Sequence, residues 1–534
     1  MSKIRGMRGF LASSIGVTCA AALALTLTPP AAAATLPATA TGLSARSPVV
    51  SARAVGARAV GASAVSARTL SAPAMGAPAM GAPAKAAARP APTAEAPGST
   101  QSLPLAPLTS RDRTLAPNAE QGLSRQDVRH FSLVGVIWDN PNAELHGRVQ
   151  IRTRAADTGT WSGWQDVETH NADHAADPDT AERTSGRVHG ATAPLWVGDS
   201  DGVEVRVRAD ADTHADRVEE TARGPRTVGA GSPLPSGMRL ELVDPGAPSQ
   251  EGLDVAPGAP PQDGPDIAPG APRARALTAE PVEALAAVRA SAANAGLAPL
   301  GATEIPELSR SDTERELFGL RAAELTREQR VTPKIGPRPR IITRRGWGAD
   351  EKLRERAFVY TNKVKAAFVH HTATGNGYRC AQAPSVIRGI YRYHVKSMGW
   401  RDIGYNFLVD KCGNIYEGRA GGVAKPVLGA HTLGFNTNSM GIAVLGSYGA
   451  TKPSAAAVRG IARLTAWKLG LHGANPRGKT YLKSGGGNLY RKGKNVRLNV
   501  ISGHRDGFPT ACPGWRLYSK LGKARSTAAR YQGR

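Results

Sequence analysis

Histidine and cysteine side chains, which can ligate a transition metal, recur through the last third of the 534-residue chain. The candidates are His370, His371, His394, His431, His472, His504 and Cys512. Zinc accepts imidazole nitrogen and thiolate sulfur, and a catalytic zinc keeps one of four positions for water. Spacing alone does not select a set, because such ligands converge from distant segments and a lone histidine is more often structural. The pair His504 and Cys512 is the strongest local signal, since Gly503-His504-Arg505-Asp506 is followed closely by Cys512-Pro513-Gly514.

Strands and helices that alternate along the chain would position these side chains. A short apolar run at 366–369 predicts a buried strand that delivers His370 and His371 at its end. The remaining pattern predicts helices at 384–398 and 454–471, a hairpin at 405–416, and strands at 440–445 and 500–501. Residues 338–525 are therefore expected to form an α/β domain with a central mixed β-sheet flanked by helices.

A second, β-rich domain is expected at 121–244, and we interpret it as sandwich-like. Residues 149–154 and 203–208 alternate between apolar and polar side chains, as half-buried strands do. Trp161, Trp164 and Trp196 would close its core, although the paired tryptophans are also compatible with a sugar-stacking platform. Core packing is the favoured interpretation.

The other segments have the composition of a targeting signal and of linkers. Residues 1–34 combine an early basic cluster, an apolar stretch and a small-residue end, which predicts a secretory signal peptide, with an uncleaved anchor as the alternative. Residues 35–120 and 245–337 are rich in Ala, Pro and Gly, which predicts disordered linkers. A short helix is expected at 281–295 within the second of them. No apolar run after residue 30 reaches the ~18 residues of a membrane span, so an integral membrane protein is excluded.

Three cysteines remain once the signal, which contains Cys19, is removed: Cys380, Cys412 and Cys512. Export implies an oxidising compartment. Two of the three can form a disulfide, while the third is free, reactive or bound to metal.

Five short blocks then occur in one order and together resemble the peptidoglycan recognition protein / type 2 N-acetylmuramoyl-L-alanine amidase family, which includes the phage T7 lysozyme. The blocks are Val369-His370-His371-Thr372-Ala373, Gly399 to Phe407 (GWRDIGYNF), Glu417-Gly418-Arg419, Gly429-Ala430-His431 and His504 to Gly514. Each block is modest alone, but their order is specific. The resemblance covers about residues 340–520 and does not account for 35–330.

The resemblance implies a role for individual residues. It implies His370, His504 and Cys512 as zinc ligands, Tyr405 and Thr510 as catalytic residues, and His431 and Asn436 as walls of the substrate groove. On that assignment Cys380 and Cys412 are expected to form a disulfide. His371 is expected not to bind metal and His394 to be structural, and Asp506 is expected either to support a metal ligand or to fix the loop. A zinc ion would lower the pKa of its bound water to about 7 and polarise the amide carbonyl, with Tyr405 and Thr510 assisting as hydrogen-bond donors.

The implied function is a secreted or wall-associated zinc amidase that hydrolyses the bond between the lactyl group and the L-alanine of peptidoglycan. The alternative is a non-catalytic protein that binds or senses peptidoglycan through the same groove.

Charge is very uneven along the chain. From Arg338 to Arg534 there are 35 Lys and Arg against 7 Asp and Glu, whereas the rest of the chain is close to neutral. Such a basic domain favours an anionic partner. Nucleic acid is the less favoured partner, because no nucleic-acid motif is recognisable and the chain is expected to be exported. Anionic wall polymers are the expected partner, and peptidoglycan is the expected ligand.

Overall fold

The computed structural model describes residues 98–108, 120–125, 127–169, 171–210, 234–247 and 281–534. The expected signal peptide at 1–34 lies outside these residues, as does most of the expected spacer at 35–120. Within the described ranges, no helix is both long enough and apolar enough to cross a membrane.

The first domain is built entirely from strands that pair in antiparallel fashion. They are β1 (Thr100–Pro104), β2 (Ala106–Pro107), β3 (Glu120–Arg125), β4 (Phe131–Trp138), β5 (Gly147–Ala155), β6 (Gln165–Val167), β7 (Gly190–Ala191), β8 (Leu195–Ala209) and β9 (Arg239–Val243).

The long strand β8 joins the two halves of this β domain. Its beginning pairs with β4, and its later part lies between β3 and β5. Alternate side chains of β5 and β8, such as Val149 and Val205, point inward and meet residues of β4 and β9, such as Val136 and Leu240, in one apolar core. The predicted sandwich-like β domain is thereby confirmed.

The second domain runs from Pro281 to the end of the chain and alternates helices with strands. Its elements are α1 (Pro281–Ala292), β10 (Glu304–Ile305), α2 (Arg310–Arg321), α3 (Arg327–Val331), β11 (Ile341–Ile342), β12 (Ala366–His371), α4 (Ala383–Arg392), β13 (Phe407–Val409), β14 (Ile415–Glu417), β15 (Ser439–Val444), α5 (Ala455–Leu471), β16 (Lys479–Lys483), β17 (Asn495–Asn499), β18 (Ile501–Gly503), α6 (Trp515–Tyr518) and α7 (Leu521–Tyr531). A π-helical turn, Tyr393–Ser397, continues α4.

Seven of these strands form the predicted mixed sheet, in the order β10-β11-β14-β13-β15-β12-β18. Strands β12, β15, β13 and β18 run parallel, whereas β14 runs antiparallel to its hairpin partner β13, and β10 runs antiparallel to β11. Successive residues of β13 face opposite sides of the sheet. Phe407 and Val409 pack with α5 and α7, whereas Leu408 packs with α4. Helices therefore flank the sheet on both faces, as predicted.

The β domain packs against α4 and the π-helical turn. Leu133, Ile137 and Val243 of the β domain belong to the same apolar cluster as Ile387 and Ile390 of α4. The Tyr393 hydroxyl donates to the Thr192 carbonyl at 3.1 Å. Gly135 is required at this contact, since a Cβ there would lie 2.4 Å from the Tyr393 hydroxyl.

The structure moves two of the expected domain boundaries. Strand β1 lies inside the expected spacer, because its five residues pair along their whole length with β9 and need few bulky side chains to do so. Helices α1 to α3 lie inside the expected 245–337 linker. Leu317 and Ile335 are both buried in the core of the second domain, although the residues around them are mostly polar or small. The helix expected at 281–295 is present as α1.

The interpretation of Trp161, Trp164 and Trp196 as core residues of the sandwich is wrong. The core is filled by aliphatic side chains with Phe131 and Trp138. Trp164 is 36% exposed, and the Arg206 guanidinium lies 4.1 Å from its ring centroid. The reason is the alternation of side chains along β8. Arg206 is one of its outward-facing side chains, and Trp161 and Trp164 cover that outward face.

Candidate metal centre

His370 and His504 leave the sheet at the same edge. Strands β12 and β18 are parallel neighbours, and Val369 pairs with Gly503. Each histidine is the next residue along its strand, so both side chains reach the carboxyl end of the sheet together. Neither imidazole is exposed to solvent.

Cys512 reaches this edge on the loop that follows β18. The Arg505 amide donates to the Cys512 carbonyl at 3.0 Å, and the Cys512 amide donates to the Thr510 hydroxyl at 3.1 Å. Asp506 fixes the start of the loop, because it accepts from the Gly503 amide at 2.9 Å and from the Tyr518 hydroxyl at 2.6 Å. The thiol is buried and is the free cysteine of the described residues.

A fourth side chain, His174, completes the cluster from the β domain. Ligand atoms of His174, His370, His504 and Cys512 all lie within 4.8 Å of one another. His174 Nε2 is 3.2 Å from His370 Nδ1 and 3.6 Å from Cys512 Sγ, and His370 Nδ1 is 3.7 Å from Cys512 Sγ. His174 lies on the connection between β6 and β7, 196 residues before His370.

These separations fit a tetrahedral zinc site. Zinc bonds of about 2.0–2.1 Å to nitrogen and about 2.3 Å to sulfur place two nitrogens about 3.3 Å apart, and a nitrogen and a sulfur about 3.6 Å apart. Neither ring nitrogen of His504 has a hydrogen-bond partner within the described part of the chain. Buried polar atoms are nearly always paired, so an unpaired imidazole among metal-binding side chains suits a metal ligand.

The electrostatics also suit a cation. Burial lowers the pKa of His370 well below its usual value, and neighbouring histidines lower it further. Burial likewise lowers the pKa of His504 to about 3, although Asp173 acts in the opposite direction. Neutral imidazoles have a free lone pair for a metal. Burial raises the pKa of the Cys512 thiol, so a thiolate there requires a positive ion beside it.

Tyr405 lies beside the cluster, immediately before β13. Its ring centroid is 5.5 Å from that of His370 and 5.9 Å from that of His174. Burial raises the pKa of Tyr405 well above its usual value, and Cys512 and Asp173 add to the effect. The phenol therefore stays protonated at neutral pH and can donate a hydrogen bond. Thr510 lines the same small pocket as Tyr405 and Cys512.

His431 and Asn436 lie close to the cluster but are fully buried. The Asn436 side-chain oxygen accepts from the His431 amide at 2.7 Å. Its amide nitrogen donates to the Ala175 carbonyl at 2.8 Å and to Asp177 Oδ1 at 2.6 Å. The two expected groove residues are thus covered by the β domain and do not line an open groove in this structure.

The other candidate histidines are outside the cluster. His371 Nδ1 accepts from the Tyr448 amide at 3.2 Å, and His394 Nδ1 accepts from the Gly404 amide at 3.2 Å. His472 ends α5 in a buried position. The buried His394, which accepts a backbone hydrogen bond, has the position of a structural residue.

The expected disulfide is present between Cys380 and Cys412, with an S–S distance of 2.01 Å. It joins the turn before α4 to the turn between β13 and β14. Crosslinking these turns ties α4 to the strand that follows Tyr405.

Sequence reasoning missed His174. The residues around it, Asn171-Ala172-Asp173-His174-Ala175-Ala176-Asp177, carry no strand or helix periodicity and no metal-binding spacing. The one available signal is a histidine between acidic and small residues in a segment without strand pattern, which is too common to select a ligand.

The described residues thus form an α/β domain that carries, at the carboxyl edge of its mixed sheet, a buried cluster of three histidines and one cysteine that could hold a metal ion. Residues 360–515 match the N-acetylmuramoyl-L-alanine amidase family, and residues 85–227 match the Rv3811 N-terminal galactose-binding domain-like family. The chain belongs to the peptidoglycan recognition protein / type 2 N-acetylmuramoyl-L-alanine amidase family, as its sequence blocks predicted.

Parts of the chain are similar to individual known proteins. Peptidoglycan-recognition protein SC2 of Drosophila melanogaster is 32% identical over 181 residues, which are 34% of this chain and 84% of that protein. The N-acetylmuramoyl-L-alanine amidase of Homo sapiens is 38% identical over 126 residues, which are 23% of this chain and 20% of that protein. A solved structure of peptidoglycan recognition protein-LE in complex with tracheal cytotoxin matches 34% of this chain and 92% of its own at 32% identity, with a TM-score of 0.27. This membership supports a peptidoglycan amidase or a peptidoglycan-binding function.

Proposed function

We propose that the second domain is a zinc-dependent N-acetylmuramoyl-L-alanine amidase that hydrolyses the lactyl–L-alanine amide bond of peptidoglycan. The observation that carries the proposal is the convergence of His370 from β12 with His504 and Cys512 from the end of β18 and its loop: their ligand atoms lie within 4.8 Å of one another, and His370 Nδ1 is 3.7 Å from Cys512 Sγ. A core histidine needs no such convergence, and a buried thiol among neutral imidazoles has no evident packing role.

The ion would be held by His370, His504 and Cys512. Bound there, zinc would supply Lewis acidity toward the amide carbonyl and a strong nucleophile at neutral pH. Tyr405 is placed to donate a hydrogen bond to the carbonyl oxygen as negative charge develops on it, because its phenol stays protonated. Thr510 would assist from the same pocket wall. Burial strengthens each of these interactions, since water does not compete for the donors.

A non-catalytic peptidoglycan-binding protein is the second candidate, and one observation favours it. With His174 in place the cluster has four protein donors, which is the arrangement of a structural zinc site. A catalytic site keeps its fourth position open.

Release of stem peptides from purified peptidoglycan tests the two candidates. We expect the full chain to generate a new L-alanine amino terminus, detected by mass spectrometry, and a chelator to abolish the release. Cys512→Ser should lose zinc and activity together, whereas Ser447→Ala, a serine outside the cluster, should retain both. Absence of the new amino terminus with both the natural chain and a variant without His174 would refute the amidase and leave peptidoglycan binding.

We also propose that the chain is exported and retained on the wall by its basic second domain. The β16–β17 hairpin supports retention, because it presents exposed basic side chains in a compact region. They are Lys479, Lys483, Arg491, Lys492, Lys494 and Arg497. Anionic wall polymers are the partner that such a surface fits.

A further inference from the structure

We propose that residues 171–187 of the β domain, here called the latch, keep the activity of the natural chain low by covering both its metal centre and the expected substrate groove. The inference rests on the proposed amidase function and concerns the regulation of that site. His174 would be the fourth ligand of the ion, and the residues after it would occupy the place of the substrate.

His174 lies where a catalytic site needs an open position. Its Nε2 is as near to His370 Nδ1 and Cys512 Sγ as zinc ligands are to one another. The pocket beside the cluster is closed by β-domain residues, because Asn171, His174 and Ala193 line it together with Tyr405 and Thr510. The small space left next to Tyr405 does not admit a peptide substrate.

The middle of the latch binds residues 433–436, a segment that includes the expected groove residue Asn436. The Asp173 carbonyl accepts from the Leu433 amide at 3.0 Å. Asp177 Oδ1 accepts from the Gly434 amide at 2.8 Å and from the Asn436 side chain at 2.6 Å. The Ala175 carbonyl takes the second hydrogen of the same Asn436 amide. An extended peptide lying in the groove would compete for these donors.

A second anchor follows eight residues after His174. Both carboxylate oxygens of Glu182 lie 2.8 Å from the Arg419 guanidinium, and the two side chains are 5% and 7% exposed. The Arg401 amide also donates to Glu182 at 3.2 Å. Burial works to raise the pKa of Glu182, but Arg419 lowers it overall, so the pair is ionised. A buried bidentate pair specifies register, and this one holds the latch in place over the groove.

The latch is built to be displaced. It is attached mainly by polar contacts, and between Asn171 and Arg187 only Ala176 joins a large apolar cluster. The ion pairs of Asp179 with Lys492 and of Arg187 with Glu355 are largely exposed and contribute little. Opening the latch therefore exposes little apolar surface, and its main cost is the separation of the buried Glu182–Arg419 pair. A ligand that offers its own carboxylates and carbonyls can therefore replace the latch without unfolding either domain.

The test uses the full chain loaded with Co²⁺ and follows its visible absorption during a titration with imidazole. The variants are His174→Ala and, as a matched control, His146→Ala, which removes an exposed histidine of the same domain. We expect imidazole to leave the spectra of the natural chain and of His146→Ala unchanged. In His174→Ala it should shift the spectrum progressively until the shift saturates with increasing imidazole. Zinc should pass to a chelator at least about tenfold faster from His174→Ala, since losing even an outer partner of a metal ligand costs 10- to 100-fold in affinity. Release of stem peptide should rise at least about tenfold in the same variant.

The outcomes separate the latch from the amidase. If imidazole titrates the natural chain as readily as His174→Ala, the fourth position is already open and the latch is refuted, whatever the amidase activity. If only His174→Ala responds to imidazole but no variant cleaves peptidoglycan, the latch stands and the amidase proposal fails. Should His174→Ala fold poorly, the double variant Asp177→Ala/Glu182→Gln is used instead. It retains all four residues of the metal cluster and weakens only the contacts that hold the latch on the second domain. It should then become sensitive to imidazole, and an unresponsive spectrum would refute the latch.

Discussion

Glu417 at the end of β14 should make the stability of the second domain depend on pH. Its carboxylate is buried, and it accepts two hydrogen bonds of 3.0 Å from the Asn294 amide and one of 3.2 Å from the Arg344 amide. Burial raises the pKa of Glu417 to about 7, although Asn294 and Arg344 act to lower it. The pKa of this carboxyl group in the folded state is therefore higher than its pKa in the unfolded chain, which is 4.5.

The sign and size of the effect follow from the two pKa values. The folded state binds this proton more tightly, so the associated stability is fully present below pH 4.5 and is lost as the pH rises through 7. Each unit of pKa difference corresponds to 1.36 kcal/mol. The complete loss is therefore on the order of 3 kcal/mol, of which about 2 kcal/mol falls between pH 5 and pH 7.

The assay is urea unfolding followed by tryptophan fluorescence at pH 5, 6, 7 and 8. Buried histidines such as His472, whose pKa burial lowers to about 2, change stability in the opposite direction. The informative quantity is therefore the difference between the natural chain and Glu417→Gln. That difference should shift by about 2 kcal/mol in favour of the variant between pH 5 and pH 7. The control Glu307→Gln removes a 65% exposed carboxylate and should run parallel to the natural chain. Parallel curves for Glu417→Gln as well would refute the reasoning.

Two further predictions concern the crosslink and the basic surface. The double variant Cys380→Ala/Cys412→Ala should lose about 3–4 kcal/mol of unfolding free energy in urea, because the disulfide closes a loop with a sequence separation of 32; an unchanged midpoint would contradict this. The full chain should elute from isolated walls as salt rises, because the Debye length falls from about 10 Å at 0.1 M to about 3 Å at 1 M. Replacing the exposed bases of the β16–β17 hairpin by Gln should lower the salt needed, and elution indifferent to ionic strength would argue against electrostatic retention.

Local patterns were sufficient to predict most elements around the metal centre. The run at 366–369, the hairpin at 405–416 and the helix at 454–471 all appear where the periodicity placed them. These segments bury one or both faces within their own domain. The spacing of their apolar residues therefore shows which faces are buried, and so predicts the type of element. Three of the four clustered donors were predicted as ligands on the basis of the family resemblance, because they lie in its sequence blocks.

Features set by contacts between distant segments could not be predicted in this way. Strand β1 is ordered by backbone pairing with β9, about 140 residues later, and backbone pairing leaves little trace in side-chain pattern. Helix α2 buries only Thr313 and Leu317, so its amphipathic signal is weak. His174 acquires its role only when two domains pack together, and no spacing rule connects it to His370.

The latch is unusual because a connecting segment buries so many polar side chains. Asn171, Asp173, His174, Asp177 and Glu182 are each less than 9% exposed, whereas connecting segments usually run over the surface, where water satisfies their polar groups. Such burial is tolerable only if every group finds a partner, and leaving one donor or acceptor unpaired costs about 1–3 kcal/mol. Asp177 and Glu182 take their partners from the other domain, whereas Asn171 donates to the Thr192 carbonyl of the β domain and Asp173 accepts from His174. The latch therefore binds the second domain as a peptide ligand would. When the latch leaves, the same donors become free to bind another peptide of similar polarity.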